Sequence, residues 1–206
     1  MAGRSAAAAR RDVERFDRWA GTYDRSFLQR RVFEPVYEAL AAALGASLDR
    51  GRVLDVGCGT GILTRTLASR AALALGVDPA PRMVTQARAN PADLPASYVV
   101  AAAEALPLPD ASFDAAAASL TLHHWRDARR GVAEVGRALR PGGRFVIADI
   151  DLPGPARWIL RLFGNPHAGW SRRELADLLY RAGFTRVRAM TRGPLGPRVA
   201  IIAAER

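Results

Sequence analysis

The residues best suited to chemistry in this sequence lie in a short glycine-rich stretch. The stretch reads VLDVGCGTG, residues 53–61, and places Gly57, Gly59 and Gly61 directly after an apolar run. Glycine lets a backbone turn tightly and approach a ligand that a β-carbon would push away. A strand that leads through such a turn into a helix is typical of nucleotide-binding sheets. We therefore predict a ligand-binding loop at these glycines.

The spacing of the glycines and the charge beside them favour a ligand other than a dinucleotide. A dinucleotide-binding loop would need glycine at positions 57, 59 and 62, but position 62 is Ile62. Asp55, just before the turn, would repel a pyrophosphate and would suit a positively charged ligand. We expect a nucleoside with a cationic, amino-acid-like tail, and a nicotinamide-dependent oxidoreductase is disfavoured.

A second carboxylate, Asp78, lies at the end of the next predicted strand. A carboxylate at this place can accept hydrogen bonds from both ribose hydroxyls, although an acid after a strand is also a common helix cap. Met83 follows five residues later, where its side chain could lie against an adenine face. Together with the glycine loop, these residues predict a ribose contact at Asp78.

The elements that must position these residues alternate between short apolar runs and helical patterns. Strands are predicted at 53–56, 72–78, 97–102, 113–120, 144–150, 184–191 and 198–204. Two helical patterns precede them between Val13 and Leu44. This alternation predicts an α/β, doubly wound, mostly parallel seven-stranded sheet with N-terminal helices. Ligands of such sheets bind at the carboxyl ends of the strands, where the strand order reverses.

With these motifs in order, the chain resembles the class I S-adenosylmethionine (SAM) dependent methyltransferases, of the ubiquinone/menaquinone-biosynthesis branch. Five segments carry the resemblance: VLDVGCGTG at 53–61, GVDPAPRMV at 76–84, AEALPLPDASFD at 103–114, SLTLHHWRD at 119–127 and LRPGGRFVIADI at 139–150. The likeness covers about residues 50–150, and FDRWAGTYDR at 16–25 matches the N-terminal segment of the family moderately well.

The resemblance implies roles for individual residues toward SAM. The three glycines would shape the loop around its methionine part, Asp55 would face its ammonium group and Asp78 its ribose. The family commonly has Asp or Asn two residues before Glu104, whereas this chain has Ala102. Adenine contact then falls to backbone groups near Ala103, with Glu104 beside it. Ser119 is a further candidate cofactor contact, and Tyr23 a candidate to fold over the cofactor or simply to pack.

Two adjacent histidines, His123 and His124, follow the fourth predicted strand, where the methyl group should point. Imidazole titrates near neutral pH, so either could remove a proton from an acceptor that must lose one. The alternatives are that they line the substrate pocket, or that one caps the next helix and the other is buried. Between the two we favour His123 as the catalytic residue.

The chain divides into a disordered tail at 1–11 and a single methyltransferase domain at 12–206. Within the domain we predict an N-terminal helical cap at 12–50, a SAM-binding core at 51–150, and a lid segment with the last strands at 151–206. The apolar patch WILRLF at 158–163 is the candidate lid. It could instead pack as a helix on the sheet edge, or contact a membrane surface.

Composition narrows the class of protein. The net charge of +10 arises without any lysine, and residues 151–206 hold 10 Arg against 4 acids while 12–150 are almost neutral. No aromatic stacking surface accompanies the arginines, so nucleic acid is not the expected partner. No apolar run approaches the ~20 residues that span a bilayer. The single cysteine, Cys58, excludes an internal disulfide and fits a reducing, cytoplasmic location. No metal site is evident.

These observations predict a SAM-dependent methyltransferase that modifies O or C of a small hydrophobic or aromatic molecule, as a monomer or homodimer. RNA or protein methylation is the first alternative, and it would call for an appended binding module or an amide-binding motif after the fourth strand. The second alternative is a non-catalytic SAM-binding protein, for which a damaged glycine loop would be expected.

Overall fold

The computed structural model describes residues 6–21, 34–90, 93–151, 154–155, 158, 169–192 and 199–206. Its centre is one seven-stranded sheet. The strands are β1 Arg52–Val56, β2 Leu73–Asp78, β3 Ala96–Val100, β4 Phe113–Ser119, β5 Leu139–Ile150, β6 Thr185–Arg192 and β7 Val199–Glu205. The α-helices are α1 Ala6–Trp19, α2 Glu34–Leu44, α3 Ile62–Ala68, α4 Pro81–Ala89, α5 Ala128–Ala138 and α6 Arg172–Arg181.

The strand order places a reversal at the centre of the sheet. The order is β3-β2-β1-β4-β5-β7-β6, with parallel pairing from β3 through to β5. β7 runs antiparallel to both β5 and β6. The chain moves outward from β1 to β3 and then returns to β4 on the other side of β1. The crevice for a ligand therefore opens at the carboxyl ends of β1 and β4.

Alternate residues of the strands supply the two layers of the core. In β1, Leu54 and Val56 belong to the cluster that packs with α5 and α6, whereas Val53 belongs to the cluster that packs with α2 and α3. The central strands are apolar on both faces, as expected for a parallel sheet covered by helices on both sides. β4 is built mostly of alanine, and Ala115 to Ala118 are fully buried, which lets helices lie close to the sheet.

The predicted fold class is confirmed, and the largest differences from the predicted boundaries occur at three places. α1 begins at Ala6 and therefore includes residues 6–11, which the sequence assigned to a disordered tail. The alanine-rich run at this point has high helix propensity, which accounts for the earlier start. β5 begins at Leu139, five residues before its predicted start, because Leu139 pairs with Phe113 ahead of a register shift. β3 ends at Val100, two residues before its predicted end.

The candidate lid at 155–163 lies mostly outside the described residues. Of the apolar patch, only Trp158 is described, and its side chain is exposed. Across the part of the chain that the structure describes, no helix has the length and apolarity that crossing a membrane requires.

Candidate functional site

A cavity of about 490 Å³ opens at the carboxyl ends of the central strands. Val56, Asp78 and Ser119 are the last residues of β1, β2 and β4, and all three line it. Most of the residues that the sequence predicted for the cofactor meet here. The predicted residues that line the cavity are Gly57, Gly59, Asp78, Met83, Ala103, Glu104, Ser119 and His124.

The glycine turn is held against β2 and leaves open space above it. The backbone N–H groups of Gly57 and Cys58 both donate to the carbonyl of Val77, at 2.8 and 3.0 Å. Gly57 and Gly59 have φ values of +78° and +52°, in the left-handed region that favours glycine. A β-carbon on Gly57 would lie 2.6 Å from the Thr121 β-carbon, whereas one on Gly59 would meet nothing within 4 Å. The turn is therefore tight on one side and open on the other.

Asp78 anchors this turn to the start of α4. One carboxylate oxygen accepts from the N–H of Gly59 and the other from the N–H of Ala80, both at 2.9 Å. A carboxylate has about four acceptor positions, so two remain for further donors such as ribose hydroxyls. Burial raises the pKa of Asp78 to about 6, against the opposing effect of these two hydrogen bonds.

Asp55 lies beneath the turn and does not line the large cavity. Its side chain is almost fully buried and accepts a hydrogen bond from the Thr64 hydroxyl at 2.6 Å. It borders a smaller cavity of about 40 Å³, and Gly57, Gly59 and Ser119 border both spaces. Burial raises the pKa of Asp55 to about 7, and nearby Asp78 adds to the rise. A positive charge placed here would stabilise the ionised carboxylate.

The Ser119 hydroxyl is buried between the two cavities. Among the described residues it has no hydrogen-bond partner. A buried polar atom without a partner costs free energy, and native proteins rarely leave one without a reason. A ligand with polar groups in this space would give it a partner.

Apolar side chains line the part of the cavity where adenine is predicted to lie. Met83 and Ala103 are buried there. Glu104 lines the cavity, but one of its carboxylate oxygens accepts from the N–H of Asp127 at 2.9 Å, just before α5. Both roles considered for Glu104, support of a helix N-terminus and contact with a ligand, are compatible with this position.

The two histidines occupy different environments. The His123 ring is buried, lies away from the lining, and its Nδ1 is 2.6 Å from Asp149 Oδ1. The His124 ring lines the cavity, and its Nδ1 is 2.9 Å from Asp12 Oδ2. This placement does not support the preference for His123. Gly61 also lies off the lining, where a β-carbon would meet the Tyr98 ring at 2.7 Å. Tyr23 lies outside the described residues.

Helix α1 supplies a wall of the cavity that the sequence did not reveal. Asp12, Val13 and Phe16 all line it. The helical spacing of Val13 and Phe16 predicted an apolar face but not what the face would cover. Nothing in the sequence pointed to Asp12, because its partner His124 is 112 positions away.

Comparisons with known proteins identify the family of this chain. Residues 54–147 match the family described as a methyltransferase domain. The chain is 35% identical over 149 residues to an uncharacterized methyltransferase of Synechocystis, with 66% of this chain and 68% of that protein covered. The chain belongs to the class I SAM-dependent methyltransferases.

Two further relatives show the breadth of the family. A demethylmenaquinone methyltransferase from Tropheryma whipplei is 34% identical over 139 residues, which cover 67% of this chain and 58% of that protein. The crystal structure of a SAM-dependent methyltransferase from Thermotoga maritima is 26% identical with a TM-score of 0.69, over 92% of this chain and 97% of that one. The chain spans 31% and 63% of the length of two other curated relatives that it matches.

The predicted cofactor, SAM, is confirmed for this methyltransferase family, and the described residues fit it. The buried carboxylate of Asp55 suits its positive charge, and that of Asp78 can accept its hydroxyl groups. The Ser119 hydroxyl, which has no partner among the described residues, can meet a polar group, and open space lies above Gly59. The described residues contain no group of three or more His, Cys, Asp or Glu side chains that could hold a metal ion.

Proposed function

We propose that this chain transfers the methyl group of SAM to an oxygen or carbon atom of a small hydrophobic or aromatic molecule. One observation carries the proposal. The cavity of about 490 Å³ is bordered by the glycine turn and Asp78 on one side and by apolar side chains of α1 and the loop after β4 on the other. A cofactor site and an acceptor site are thus parts of one space.

In the cofactor part, each residue has a task suited to its chemistry. Asp78 would accept the ribose hydroxyls, Met83 and Ala103 would pack against adenine, and Asp55 and Ser119 would meet the methionine end. These assignments use the carboxylate capacity of Asp78, the buried charge of Asp55 and the unpaired hydroxyl of Ser119. The two carboxylates beside the glycine turn, Asp55 and Asp78, would repel the pyrophosphate of a dinucleotide.

In the acceptor part, the wall is mainly apolar. Val13 and Phe16 of α1 face the cavity together with Leu120 and Trp125 of the loop after β4. Small-molecule sites are typically concave and lined by such side chains, with a few polar groups that fix orientation. A space of this size beneath a helix supports a small acceptor over a polynucleotide or a folded protein.

Bound SAM supplies an electrophilic methyl group on a sulfonium, and an in-line displacement requires an acceptor atom aligned with it. The protein can accelerate this reaction by holding the acceptor in line and keeping water out. The buried ends of β1 and β4, with Phe16 and Trp125 above them, provide such an environment.

The proposal is tested by incubating the full chain with methyl-labelled SAM and a panel of quinols, phenols and amines, followed by mass detection of labelled product. Label on a hydrophobic or aromatic small molecule is expected. The Gly57→Val variant, in which the added side chain would clash with Thr121, serves as a negative control. Label on RNA or protein instead would overturn the proposal. SAM binding without transfer to any acceptor would favour a non-catalytic role.

A further inference from the structure

Three arginines lie at the rim of the cavity. Arg10 belongs to α1, Arg126 follows the loop after β4, and Arg130 lies in the first turn of α5. All three border the cavity and are nevertheless exposed, which places them where the cavity meets solvent. Within the described ranges, none of the three makes an ion pair or a side-chain hydrogen bond. Their guanidinium groups are therefore available to a ligand.

The fold brings these arginines together from two distant parts of the chain. Helix α1 meets the loop after β4 where Asp12 contacts His124, and these two residues are 112 positions apart in the sequence. Arg10 lies two positions before Asp12, and Arg126 lies two positions after His124. Arg130 follows Arg126 by four positions. The rim is thus a product of the tertiary structure and is not one basic run of sequence.

The acids that line the same cavity are held by other groups. Asp12 contacts His124 and lies 3.6 Å from Arg15. The carboxylates of Asp78 and Glu104 accept backbone N–H groups. An anion at the rim would therefore meet arginines that no carboxylate of the described cavity lining already pairs with.

The start of α5 adds to the positive potential at the rim. Its first turn contains Arg129 and Arg130 and no acid, so their charges add to the positive end of the helix dipole. Asp127 caps the helix by accepting from the N–H groups of both arginines, which offsets part of this charge. Glu134, the acid within α5, pairs with Arg137. An anion beside Arg130 is favoured by this arrangement.

We infer that Arg10, Arg126 and Arg130 form a carboxylate-binding subsite for the methyl acceptor, which is therefore a hydrophobic or aromatic acid. The inference rests on the proposed function and names its substrate class. Guanidinium groups bind carboxylates through paired, charge-assisted hydrogen bonds. Behind the rim the wall is apolar, with Phe16 and Trp125 among its residues. The carboxylate would stay at the rim while the apolar body of the acceptor enters the cavity.

The cofactor also has a carboxylate, at its methionine end, and this group is the alternative occupant. In the proposed function that end lies toward Asp55 and Ser119, which border the smaller cavity of about 40 Å³. Arg10, Arg126 and Arg130 border the larger cavity and not the smaller one. This separation favours the acceptor as the partner of the arginines.

Two ligand pairs that differ only in charge test the subsite. The acids are 3-(4-hydroxyphenyl)propanoate and octanoate, and the neutral partners are the corresponding amides. In calorimetry with S-adenosylhomocysteine present, at least one acid should bind ~10-fold or more tightly than its amide. Raising the salt concentration from about 50 to about 300 mM should reduce the difference, because the rim is exposed. Acids that bind no better than their amides, or show no binding at millimolar concentration, would overturn the inference.

Neighbouring arginines provide matched controls, because they differ in whether they border the cavity. Arg10→Gln and Arg130→Gln should each weaken binding of the acid by ~3- to 10-fold and leave binding of the amide unchanged. Arg11→Gln and Arg129→Gln remove exposed arginines of the same helices that do not line the cavity. They should leave both ligands unaffected. Equal losses in Arg129→Gln and Arg130→Gln would mean a general attraction by net charge and would overturn the subsite.

The triple variant, in which Arg10, Arg126 and Arg130 are replaced by Gln, shows which carboxylate the arginines hold. It should lose the preference for the acid and bind SAM as the natural chain does. For an acid that is methylated, KM should rise while kcat changes little, since the contact is the same in the ground state and the transition state. A loss of SAM affinity that parallels the loss of acid binding would place the carboxylate of the cofactor at the rim and overturn the inference.

Failure of this inference is distinguishable from failure of the proposed function. If the chain binds SAM and methylates neutral molecules as well as it methylates their acidic counterparts, the inference is wrong and the proposed function stands. If the chain binds no SAM, the proposed function fails. The preference of the cofactor-free chain for the acid over the amide still reports on the three arginines in that case.

Discussion

The hydroxyl of Thr64 donates to the carboxylate of Asp55 across 2.6 Å, beneath the glycine turn. This hydrogen bond gives Asp55 one partner in a space where its charge has no neighbouring cation among the described residues. Burial outweighs the hydrogen bond, so the pKa of Asp55 rises to about 7 and that of Asp78, 23 residues on, to about 6. Without the cofactor, Asp55 keeps its proton up to about pH 7 and Asp78 up to about pH 6.

The first prediction concerns the pH dependence of cofactor binding. A cationic ligand favours the ionised carboxylates, so binding below about pH 7 must release the protons that Asp55 and Asp78 hold in the free chain. Affinity for SAM should therefore fall as pH decreases from 7 to 5, by up to about tenfold per pH unit for each proton released. Calorimetry in buffers of different ionisation enthalpy measures both the affinity and the protons.

The control for this effect is Asp55→Asn, which keeps an acceptor for the Thr64 hydroxyl but cannot titrate. At pH 8, Asp55→Asn should bind SAM more weakly than the natural chain does, and its affinity should depend less on pH. An affinity of the natural chain that stays constant from pH 5 to 8 would show that neither carboxylate responds to the ligand.

The second prediction concerns Asp78. Asp78→Ala removes the acceptors proposed for the ribose hydroxyls and should weaken SAM binding by roughly 1–3 kcal/mol. Asp49→Ala, which removes an exposed acid paired with Arg70, is the control and should bind normally. Calorimetry with a thermal unfolding check separates lost contacts from lost folding. Unchanged affinity in a folded Asp78→Ala variant would refute the ribose role.

The third prediction concerns the two reasons why a position can require glycine. One is a clash between an added β-carbon and its neighbours, and the other is the strain of a left-handed backbone. Gly57 and Gly142 have nearly the same φ, +78° and +79°, but only at Gly57 would a β-carbon collide with Thr121. Gly142→Ala should cost about 1–2 kcal/mol of stability, the strain of a left-handed alanine, and leave SAM binding intact. Gly57→Ala should cost more stability and also abolish binding. Similar behaviour of the two variants in chemical unfolding would contradict the clash.

The fourth prediction uses the unpaired hydroxyl of Ser119. Ser119→Ala removes a buried polar atom that has no partner among the described residues, so the cofactor-free chain should be as stable as before or more stable by about 1 kcal/mol. Binding of SAM should become weaker, since a hydrogen bond to the ligand is lost. The ligand-induced rise in Tm should shrink in Ser119→Ala and stay unchanged in Ser69→Ala, whose hydroxyl is exposed. A rise in Tm equal to that of the natural chain would remove Ser119 from the site.

The sequence was sufficient for the sheet and for most of the residues that surround the glycine turn. Both depend on residues that are adjacent in the sequence. An apolar run predicts a strand, and a residue at the end of that run, such as Asp78 or Gly57, must lie at the carboxyl end of the strand. The five central strands were predicted with boundaries that differ by at most five residues, and the largest difference, at Leu139, comes from a register shift.

The wall of the cavity that α1 forms could not be predicted, because it depends on contacts between distant parts of the chain. The spacing of Val13 and Phe16 indicates a helix with an apolar face. Which residues this face covers depends on how the chain after the helix folds back onto the sheet. His123 and His124 are adjacent in sequence, and only their partners, Asp149 and Asp12, distinguish a buried ring from one that borders the cavity.

Helix α1 forms a wall of the cavity without being part of the sheet. It comes from residues 6–19, which precede the matched family region at 54–147, so this wall is encoded in a different stretch of the chain from the glycine turn and Asp78. Substitutions in residues 6–19 can change which acceptor fits against this wall, while the glycine turn and Asp78 stay unchanged. A few turns of one peripheral segment can therefore reshape one wall of the cavity without any change in the residues of the glycine turn.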